Sequence, residues 1–205
     1  MAGRLFLFDF DGVIVDSYGI YREMSKLTFD ALGMSHLGEE EAYLDLFEDN
    51  FYDSLEKRGV NLKEFAQIAR TIVPRFEGQP VALFEELKPV VEELARTDTL
   101  VIISSNSRRF ITQALSGEGY HRFFEDILGS DFMLSKVHKI DHALKTRGVG
   151  REHAYFIGDT AGDMREARRA QVKAIAVTWG WHSAERLMKA SPDYIIHSPR
   201  ELLSV

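Results

Sequence analysis

The sequence predicts an α/β fold, a doubly wound and mainly parallel sheet flanked by helices, with an all-helical segment inserted after the first strand. Three observations lead to this prediction. Short, continuous apolar runs near both ends of the chain suit strands that are buried on both faces of a parallel sheet. Stretches of helical composition separate these runs, as in alternating strand–helix folds. Residues 17–80, by contrast, show helical spacing and no strand-like run.

The predicted strands are rich in Ile, Val and aromatic residues, and Gly, Ser, Asp or Asn bound them. They are Leu5–Phe8, Leu100–Ile103, Ile127–Leu128, Ala154–Ile157, Val172–Val177 and Tyr194–Ile196. The intervening helices are predicted at Arg108–Leu115, Ile140–Arg147 and Met164–Ala170. Because sequential strands and helices alternate in this way, one parallel sheet covered on both faces is expected.

The inserted segment is predicted to hold three helices, which glycines separate. They are Ser17–Leu32, Glu39–Arg58 and Leu62–Phe76, with breaks at Gly33, at Gly59 and at Gly78–Pro80. A further helix at Leu83–Arg96 leads back into the sheet. We therefore expect two domains, an α/β core of residues 1–16 and 81–205 and a helical cap of residues 17–80.

Composition excludes several classes of function. The chain has no cysteine, so disulfides and thiolate metal sites are excluded. It carries a net charge of −7, and residues 38–56 hold eight acids and no Lys or Arg, which a nucleic-acid backbone would repel. That acidic run is typical of a solvated helix face. No apolar stretch approaches the length of a membrane span, so we expect a soluble cytoplasmic protein without a membrane or nucleic-acid partner.

Polar side chains follow three of the predicted strands directly. Asp9, Asp11 and Gly12 come after the first strand, and the other candidates are Ser105, Asn106, Asp159 and Asp163. Ligands of open α/β sheets bind at the carboxyl ends of the strands, so these groups are expected to converge. Crowded carboxylates repel one another and require a cation, and hard oxygen donors without sulfur suit Mg²⁺.

Each of these residues also has a structural interpretation. The Asp11-Gly12 pair is typical of a hairpin turn, although no clean partner strand follows it. Ser105 and Asn106 resemble helix N-caps, and Thr160 with Asp163 fits a capping box. Lysines 136 and 139, just before a predicted helix, resemble ordinary solvated residues unless the acid cluster binds a phosphate and needs a fixed positive charge.

The motifs taken together resemble the haloacid dehalogenase superfamily of phosphohydrolases over essentially the whole chain. Asp9–Ser17 matches the first motif of that family, Ser105-Asn106 the second, and Gly158-Asp159-Thr160 with Asp163 the fourth. The stretch Ile175–Trp181 resembles the phosphoglycolate-phosphatase-like branch. The resemblance implies a Rossmann-like core with a helical cap that closes over the site and selects the leaving group.

Two positions depart from the family pattern. The third motif usually contains Lys-Pro before a helix, whereas this chain has Lys136 and Lys139 without a proline. We assign the site lysine to Lys136, on the expectation that it lies in the loop outside the helix, and Lys139 stays open as the alternative. Gln171 stands where the family often has Gly, which is expected to affect only a turn.

The resemblance also implies roles for individual residues. Asp9 would be the nucleophile, Asp11 the general acid and base, and Lys136 the group that orients Asp9. Mg²⁺ would bind to Asp9, to the main-chain oxygen of Asp11 and to Asp159, with Asp163 a direct ligand or close by. Ser105, Asn106 and Gly12 would hold the phosphate of a small phosphorylated metabolite.

Other functions on the same scaffold remain open at this point. A dehalogenase would lack an acid at position 11. A phosphomutase would return the phosphate to its substrate, a phosphonatase would use a cap lysine such as Lys26, and an inactive module would bind a protein. A two-component receiver would lack the helical insertion. Candidates for the inner face of the cap are Tyr18, Tyr21, Arg22 and Arg75, and Trp179 and Trp181 are candidates for the rim of the pocket.

Overall fold

The computed structural model of the chain describes residues 3–76, 79–117 and 119–205, so that Gly78 of the predicted break lies outside the described residues. Its strands, in chain order, are β1 (Leu5–Phe8), β2 (Val15–Asp16), β3 (Ala82–Leu83), β4 (Thr99–Ile103), β5 (Asp126–Leu128), β6 (Ala154–Gly158), β7 (Lys173–Val177) and β8 (Tyr194–Ile196). Six of them form one parallel sheet in the order β5-β4-β1-β6-β7-β8. The strands after β1 first extend the sheet on one side of it, through β4 and β5, and then on the other side, through β6, β7 and β8. This reversal of strand order defines a topological switch point beside β1.

Both faces of this sheet are buried, as the unbroken apolar runs predicted. In β1, Phe6 and Phe8 belong to one hydrophobic cluster, while Leu5 and Leu7 belong to another on the opposite face. Side chains alternate between the faces of a strand, so a strand buried on both sides is apolar at every position. The predicted fold class, a doubly wound α/β core, is confirmed.

The α-helices of the described residues flank this sheet or lie in the inserted segment. They are α1 (Tyr18–Ala31), α2 (Glu40–Leu44), α3 (Phe51–Lys57), α4 (Leu62–Ile72), α5 (Leu87–Leu94), α6 (Arg108–Ser116), α7 (Lys136–Arg147), α8 (Ala161–Arg169) and α9 (Ala184–Lys189). Helices α5 and α6 cover one face of the sheet, and α7, α8 and α9 cover the other.

The helical insertion, a name used here for described residues 17–76, has its own apolar cluster. Phe29, Leu37, Tyr43, Leu46, Leu55 and Val60 form this cluster. The predicted single helix at Glu39–Arg58 is wrong, because a 3₁₀ turn at Asp45–Glu48 and an extended residue at Asp49 separate α2 from α3. The Asn50 side chain accepts hydrogen bonds from the main chains of Tyr52 and Asp53, so a new helix starts there.

The acidic run of the insertion is not simply a solvated face. Arg186 of α9 pairs with Glu41 and Asp45, and two arginines of α8 pair with the insertion as well: Arg165 with Glu48 and Arg169 with Asp49. The carboxylates at positions 41, 45, 48 and 49 therefore face basic residues of the core. The clustering of like charges, read from sequence as solvation, serves here to attach the insertion to α8 and α9.

Two short strands mark the passage between the core and the insertion. Strands β2 and β3 pair antiparallel, with Val15 opposite Leu83 and Asp16 opposite Ala82. Neither strand was predicted, because a two-residue strand leaves almost no periodic pattern in a sequence. The pairing brings the start and the return of the inserted segment side by side.

Helix α7 begins four residues before its predicted start. The Ser135 side chain accepts a hydrogen bond from the main-chain N–H of His138, so the helix starts at Lys136 and not at Ile140. Lys136 therefore lies in the first helical turn, and the expectation that it belongs to the loop outside the helix is wrong.

None of the helices in the described part of the chain has both the length and the apolar composition that a membrane span requires.

Candidate active site

Adjacent strand tips bring three carboxylates together. The N–H of Asp9, directly after β1, donates to the Ile157 carbonyl of β6 at 2.9 Å, and Asp159 lies just beyond the end of β6. One carboxylate oxygen each from Asp9, Asp159 and Asp163 lies within 4.8 Å of the others, and all three side chains are buried. The sequence-predicted acid cluster is thus assembled at the carboxyl edge of the sheet.

Lys136 bridges two members of this acid cluster. Its Nζ donates to Asp9 Oδ2 at 2.6 Å and to Asp163 Oδ1 at 2.6 Å. Burial disfavours the ammonium, but the carboxylates of Asp163 and Asp9 outweigh it and raise the pKa of Lys136. The lysine is therefore a permanent positive charge on the carboxylate of Asp9.

Lys139, the alternative site lysine, holds a different group. It is fully buried, and its Nζ donates to the Ser104 carbonyl at 2.6 Å. Burial, together with the charge of Lys136, lowers the pKa of Lys139 to about 8. Its contact fixes the end of β4, where Ser105 and Asn106 begin, and does not reach the carboxylates.

The acid cluster is electrostatically unsatisfied by protein groups alone. Burial raises the pKa of Asp9 to about 6 although Lys136 opposes it. Burial also raises the pKa of Asp159 well above its usual value, and the charges of Asp163 and Asp9 add to the effect. A negatively charged cluster with raised pKa values favours either protons or a bound cation.

Asp11 is not a member of this cluster and belongs to a chain of hydrogen bonds beside it. Ser17 Oγ donates to Asp11 Oδ1 at 2.8 Å, and Asn106 Nδ2 donates to Asp11 Oδ2 at 2.6 Å. Tyr21 of the insertion donates in turn to Asn106 Oδ1 at 2.6 Å. Burial, with the charge on Asp9, raises the pKa of Asp11 to about 7, so its carboxyl group can give and take a proton near neutrality.

The predicted capping role of Ser105 and Asn106 belongs to Ser107 instead. Ser107 Oγ accepts from the Phe110 N–H at the start of α6, while Asn106 is engaged with Asp11 and Tyr21. Ser105 is exposed to the cavity described below. The strand tip thus presents a hydroxyl to the cavity and directs the Asn106 amide to Asp11.

Glycine is needed at position 12 because the main chain there passes close to the Asp159 side chain, and not because its N–H contacts a ligand. Its φ of +71° is a backbone conformation that favours glycine, and an added Cβ would lie 1.9 Å from Asp159 Oδ2. The Gly12 N–H donates to the Val15 carbonyl at 2.8 Å, and Gly12 does not line the cavity. Its predicted contact with phosphate stays a prediction.

Asp163 takes part in both a helix cap and the acid cluster, while its predicted role at a metal ion stays a prediction. It forms a capping box with Thr160 at the start of α8, and its other oxygen accepts from Lys136. One carboxylate thereby fixes the helix start and belongs to the acid cluster.

Two further buried residues, Glu166 in the cavity lining and His182 outside it, were not predicted from the sequence. Glu166 is buried one helical turn after Asp163 and accepts from Asn50 Nδ2 of the insertion at 3.2 Å; burial raises its pKa to about 7. His182 accepts from the Ala161 N–H through Nδ1 at 3.0 Å, and its Nε2 lies 3.0 Å from the Leu44 carbonyl of the insertion. The spacing of Glu166 from Asp163 on one helix face was a usable signal; none pointed to His182.

A cavity of about 300 Å³ lies between the strand tips and the helical insertion. Of the candidates for the cap face, Tyr21 lines it and Tyr18, Arg22 and Arg75 do not; of the two rim candidates, Trp181 lines it and Trp179 does not. Trp181 packs against Tyr18, Tyr43 and Phe47 of the insertion. Lys26 is exposed and lies outside the lining, so in the described residues no second lysine joins Lys136 in the cavity.

Helix α8 approaches the insertion without room for a side chain. A Cβ on Gly162 would lie 2.6 Å from the Asp49 carbonyl oxygen and 2.9 Å from that of Phe47. Asp49 also pairs with Arg169, two turns further along α8, so backbone and side-chain contacts lie on the same face of this helix. The insertion is therefore closed onto the core in this structure.

The donor set suits a divalent cation with a preference for oxygen. The candidate ligands are buried carboxylates without sulfur or nitrogen donors, and the main-chain N–H of Trp181 hydrogen-bonds only Oδ2 of Asp159, at 2.7 Å. Small hard cations such as Mg²⁺ bind through one or two carboxylates plus water and phosphate oxygens. The residues present therefore fit such an ion.

Comparison with known proteins agrees with this geometry. A family model described as haloacid dehalogenase-like hydrolase matches residues 6–177. A phosphoglycolate phosphatase of Synechococcus elongatus is 27% identical over 202 residues, covering 96% of this chain and 94% of that protein. The pyrophosphatase PpaX of Oceanobacillus iheyensis is 26% identical over 210 residues, covering 100% of this chain and 97% of that protein.

Solved structures resemble the whole chain. A haloacid dehalogenase-like hydrolase from Streptococcus pneumoniae superposes with a TM-score of 0.80 and 28% identity, covering 99% of this chain and 98% of its own. One such hydrolase from Bacteroides fragilis reaches a TM-score of 0.83 at 21% identity, covering 98% and 99%, and shows the shared fold.

Proposed function

The chain belongs to the haloacid dehalogenase-like hydrolase family and is a phosphatase of that family, and from this premise we propose that it uses Mg²⁺ and an aspartyl-phosphate on Asp9 to hydrolyse a small phosphate monoester. The observation that carries the proposal is the buried Asp9 carboxylate, held by Lys136 beside the carboxylates of Asp159 and Asp163. Nothing else in the described residues combines a nucleophile, a fixed cation and a candidate metal site.

The first half of the reaction belongs to Asp9 and Asp11. A carboxylate oxygen of Asp9 forms a bond to phosphorus while the bond from phosphorus to the leaving-group oxygen breaks. Asp11, protonated at the start, gives its proton to that oxygen, and the product alcohol departs. Ser17 and Asn106 hold the two oxygens of Asp11, which restricts its side chain during the transfer.

The second half regenerates the enzyme. Asp11, now a carboxylate, takes a proton from a water molecule, and the water oxygen attacks phosphorus. The acyl-phosphate bond breaks, Asp9 returns as a carboxylate, and inorganic phosphate leaves. A pKa of about 7 for Asp11 suits a group that must serve as acid in one step and as base in the next.

The remaining site residues stabilise charge. Lys136 offsets the negative charge of Asp9 as the phosphate approaches, and Ser105 offers a hydroxyl to a phosphate oxygen at the end of β4. Asp9, the Asp11 main chain and Asp159 would hold Mg²⁺, with Asp163 beside it. When bound, the ion supplies positive charge that reduces the repulsion between two anions.

We propose further that residues 17–80 form a cap domain over a core of residues 1–16 and 81–205. The separate apolar cluster of the insertion supports this division. The contacts of Tyr21 with Asn106 and of Asn50 with Glu166 support closure of the cap directly onto the catalytic groups. Closure would exclude bulk water from the acyl phosphate until the leaving group has departed.

The proposal is tested with an aryl phosphate as substrate. Asp9→Asn keeps the size of the side chain but removes the nucleophile, so kcat is expected to fall by more than about 10³-fold. EDTA is expected to abolish turnover, and added Mg²⁺ to restore it. Asp53→Asn, the same change at an exposed position of α3, serves as the control and should retain activity. Turnover that survives either Asp9→Asn or EDTA contradicts the proposed mechanism.

A further inference from the structure

The cavity has two chemically different sides. Its floor, at the strand tips, is polar and carries the catalytic carboxylates. Its wall, from the helical insertion, is largely apolar and aromatic: Met24, Phe47, Phe51, Phe65, Ala69 and Ile72. A phosphate held at the floor would direct its leaving group toward this wall, because the wall is the part of the cavity beyond the catalytic groups.

Charge in the cavity is strongly one-sided. Six carboxyl groups line it: Asp9, Asp11, Asp49, Asp159, Asp163 and Glu166. Among the described lining residues, Lys136 is the single Lys, Arg or His, and it is already bound to Asp9 and Asp163. Lys57 and Arg169 are close by but pair with Asp49 and do not line the cavity. A negatively charged leaving group would find no free cation on the wall as described.

The wall hydroxyls are also largely engaged. Tyr21 donates to Asn106, Tyr43 hydrogen-bonds Ser25, and Thr28 donates to the Met24 carbonyl. Buried polar groups that already have partners gain little from a new polar ligand, whereas apolar surface gains from any apolar group that displaces water. The wall is therefore suited to an apolar ligand.

We propose that the substrate is a phosphate monoester whose leaving group is uncharged and apolar, such as an aryl or branched alkyl alcohol. The proposal rests on the proposed phosphatase function. Burying an unpaired carboxylate is strongly unfavourable, and the acidic floor adds repulsion. This preference would differ from the substrates for which the relatives are named. Phosphoglycolate carries a carboxylate in its leaving group, and pyrophosphate carries a second phosphate.

Matched substrates test the proposal. Benzyl phosphate and 4-carboxybenzyl phosphate differ by one remote carboxylate, with similar leaving-group oxygens. With Mg²⁺ present, kcat/KM is expected to be at least 100-fold higher for benzyl phosphate. The smaller pair of isobutyl phosphate and phosphoglycolate should show the same order. Equal kcat/KM values within each pair, or a preference for the carboxylates, would overturn the proposal. Arg22 lies outside the cavity, but its positive charge opposes the rise in the pKa of Tyr18 and of Tyr43. It would then be the first residue to test as the cation that pairs with the carboxylate of the leaving group.

A gain-of-function variant tests the electrostatic cause. Ala69 lines the wall on α4, and Arg is compatible with a helix at that position. Ala69→Arg is expected to raise kcat/KM for 4-carboxybenzyl phosphate at least tenfold, whereas Ala69→Gln, long but uncharged, should not. Melting temperatures would establish that both variants fold. If both folded variants discriminate against the carboxylate as the parent does, the charge deficit is not the cause.

The outcomes separate this inference from the proposed function. If the protein hydrolyses none of the four substrates with Mg²⁺, the proposed Asp9 and Mg²⁺ mechanism fails for these monoesters, and equilibrium binding of the same intact pairs tests the wall directly. At least tenfold tighter binding of benzyl phosphate than of 4-carboxybenzyl phosphate would support the inference, and equal affinities would reject it. Efficient hydrolysis of phosphoglycolate alone would keep the phosphatase and reject the inference.

Discussion

Lys136 and Lys139 lie on adjacent turns of α7 and contact different atoms. Substitution of one lysine is therefore expected to affect turnover, and substitution of the other to affect stability. Lys136→Met removes the cation from Asp9, and kcat is expected to fall by at least about 100-fold, as when one charge-stabilising donor is lost. Lys139→Met removes the donor to the Ser104 carbonyl and is expected to lower the free energy of unfolding by about 1–3 kcal/mol, with kcat within about tenfold.

Steady-state kinetics and urea unfolding of both variants check this assignment. Circular dichroism shows whether each variant is folded before kcat is compared. The reverse pattern, in which Lys139→Met abolishes turnover and Lys136→Met only destabilises, would transfer the catalytic role to Lys139.

At the scale of single elements, the turn after α8 contains an avoidable strain. Gln171 has a φ of +55°, the left-handed conformation that glycine adopts without a steric penalty. The penalty for a residue with a Cβ is about 1–2 kcal/mol, and glycine offsets part of it by its larger entropy in the unfolded chain. Gln171→Gly is therefore expected to raise the free energy of unfolding by about 0.5–1 kcal/mol.

For a chain of this length, the gain corresponds to a rise of roughly 1–4 °C in melting temperature. Gln171→Ala is the matched control, because it keeps the Cβ and should give no increase. An equal rise for both variants would mean that the stabilisation comes from loss of the long side chain and not from relief of the backbone.

The strands were predictable from sequence because their environment is uniform. A strand buried on both faces is apolar at every position, and the six main strands were placed within one or two residues. The acids and hydroxyls that follow them could be identified because strand tips of a parallel sheet share one edge. The hydrogen bonds of these residues could not be identified from the sequence. Asn106 donates to Asp11 while Ser107 caps α6, and this division depends on side-chain directions.

Predictions failed where long-range contacts override local preference. The run at 39–58 has a continuous helical pattern, yet it breaks at Asp49 and Asn50, where the chain contacts Arg169 and Glu166 of α8. Helix α9 and the paired strands β2 and β3 are too short to leave a periodic signal. These features are set by the meeting of the insertion with the core, which no local window contains.

At the scale of the whole molecule, the buried acids link folding to pH. The pKa of Asp9 is raised to about 6 and that of Glu166 to about 7 in the folded protein, above the usual 3.8 and 4.5. At pH values between the unfolded and the folded pKa of each group, the folded state holds more protons than the unfolded state. The free energy of unfolding of the metal-free protein is therefore expected to fall as pH rises from about 4 to about 7. Mg²⁺ competes with those protons and should stabilise the protein more at pH 8 than at pH 5.5.

Thermal melts in EDTA and in excess Mg²⁺ at both pH values measure this linkage. Asp159→Asn is the informative variant, since it removes one buried charge and one candidate ligand. It should melt higher than the parent at pH 8 in EDTA and lose most of the Mg²⁺ response. An Mg²⁺-induced shift of the same size at both pH values would contradict the model of a proton-competing ion.

The pairing of β2 with β3 has a consequence for how such a molecule can diversify. Asp16 and Ala82 lie opposite each other, roughly 5 Å apart as neighbouring strands are, so the chain exits and re-enters at one place. Without the intervening residues, the two strands need only a tight turn to become an ordinary hairpin on an intact sheet. Any helical module with similarly adjacent ends can be grafted there, so the reacting groups and the selectivity wall can be exchanged independently of one another.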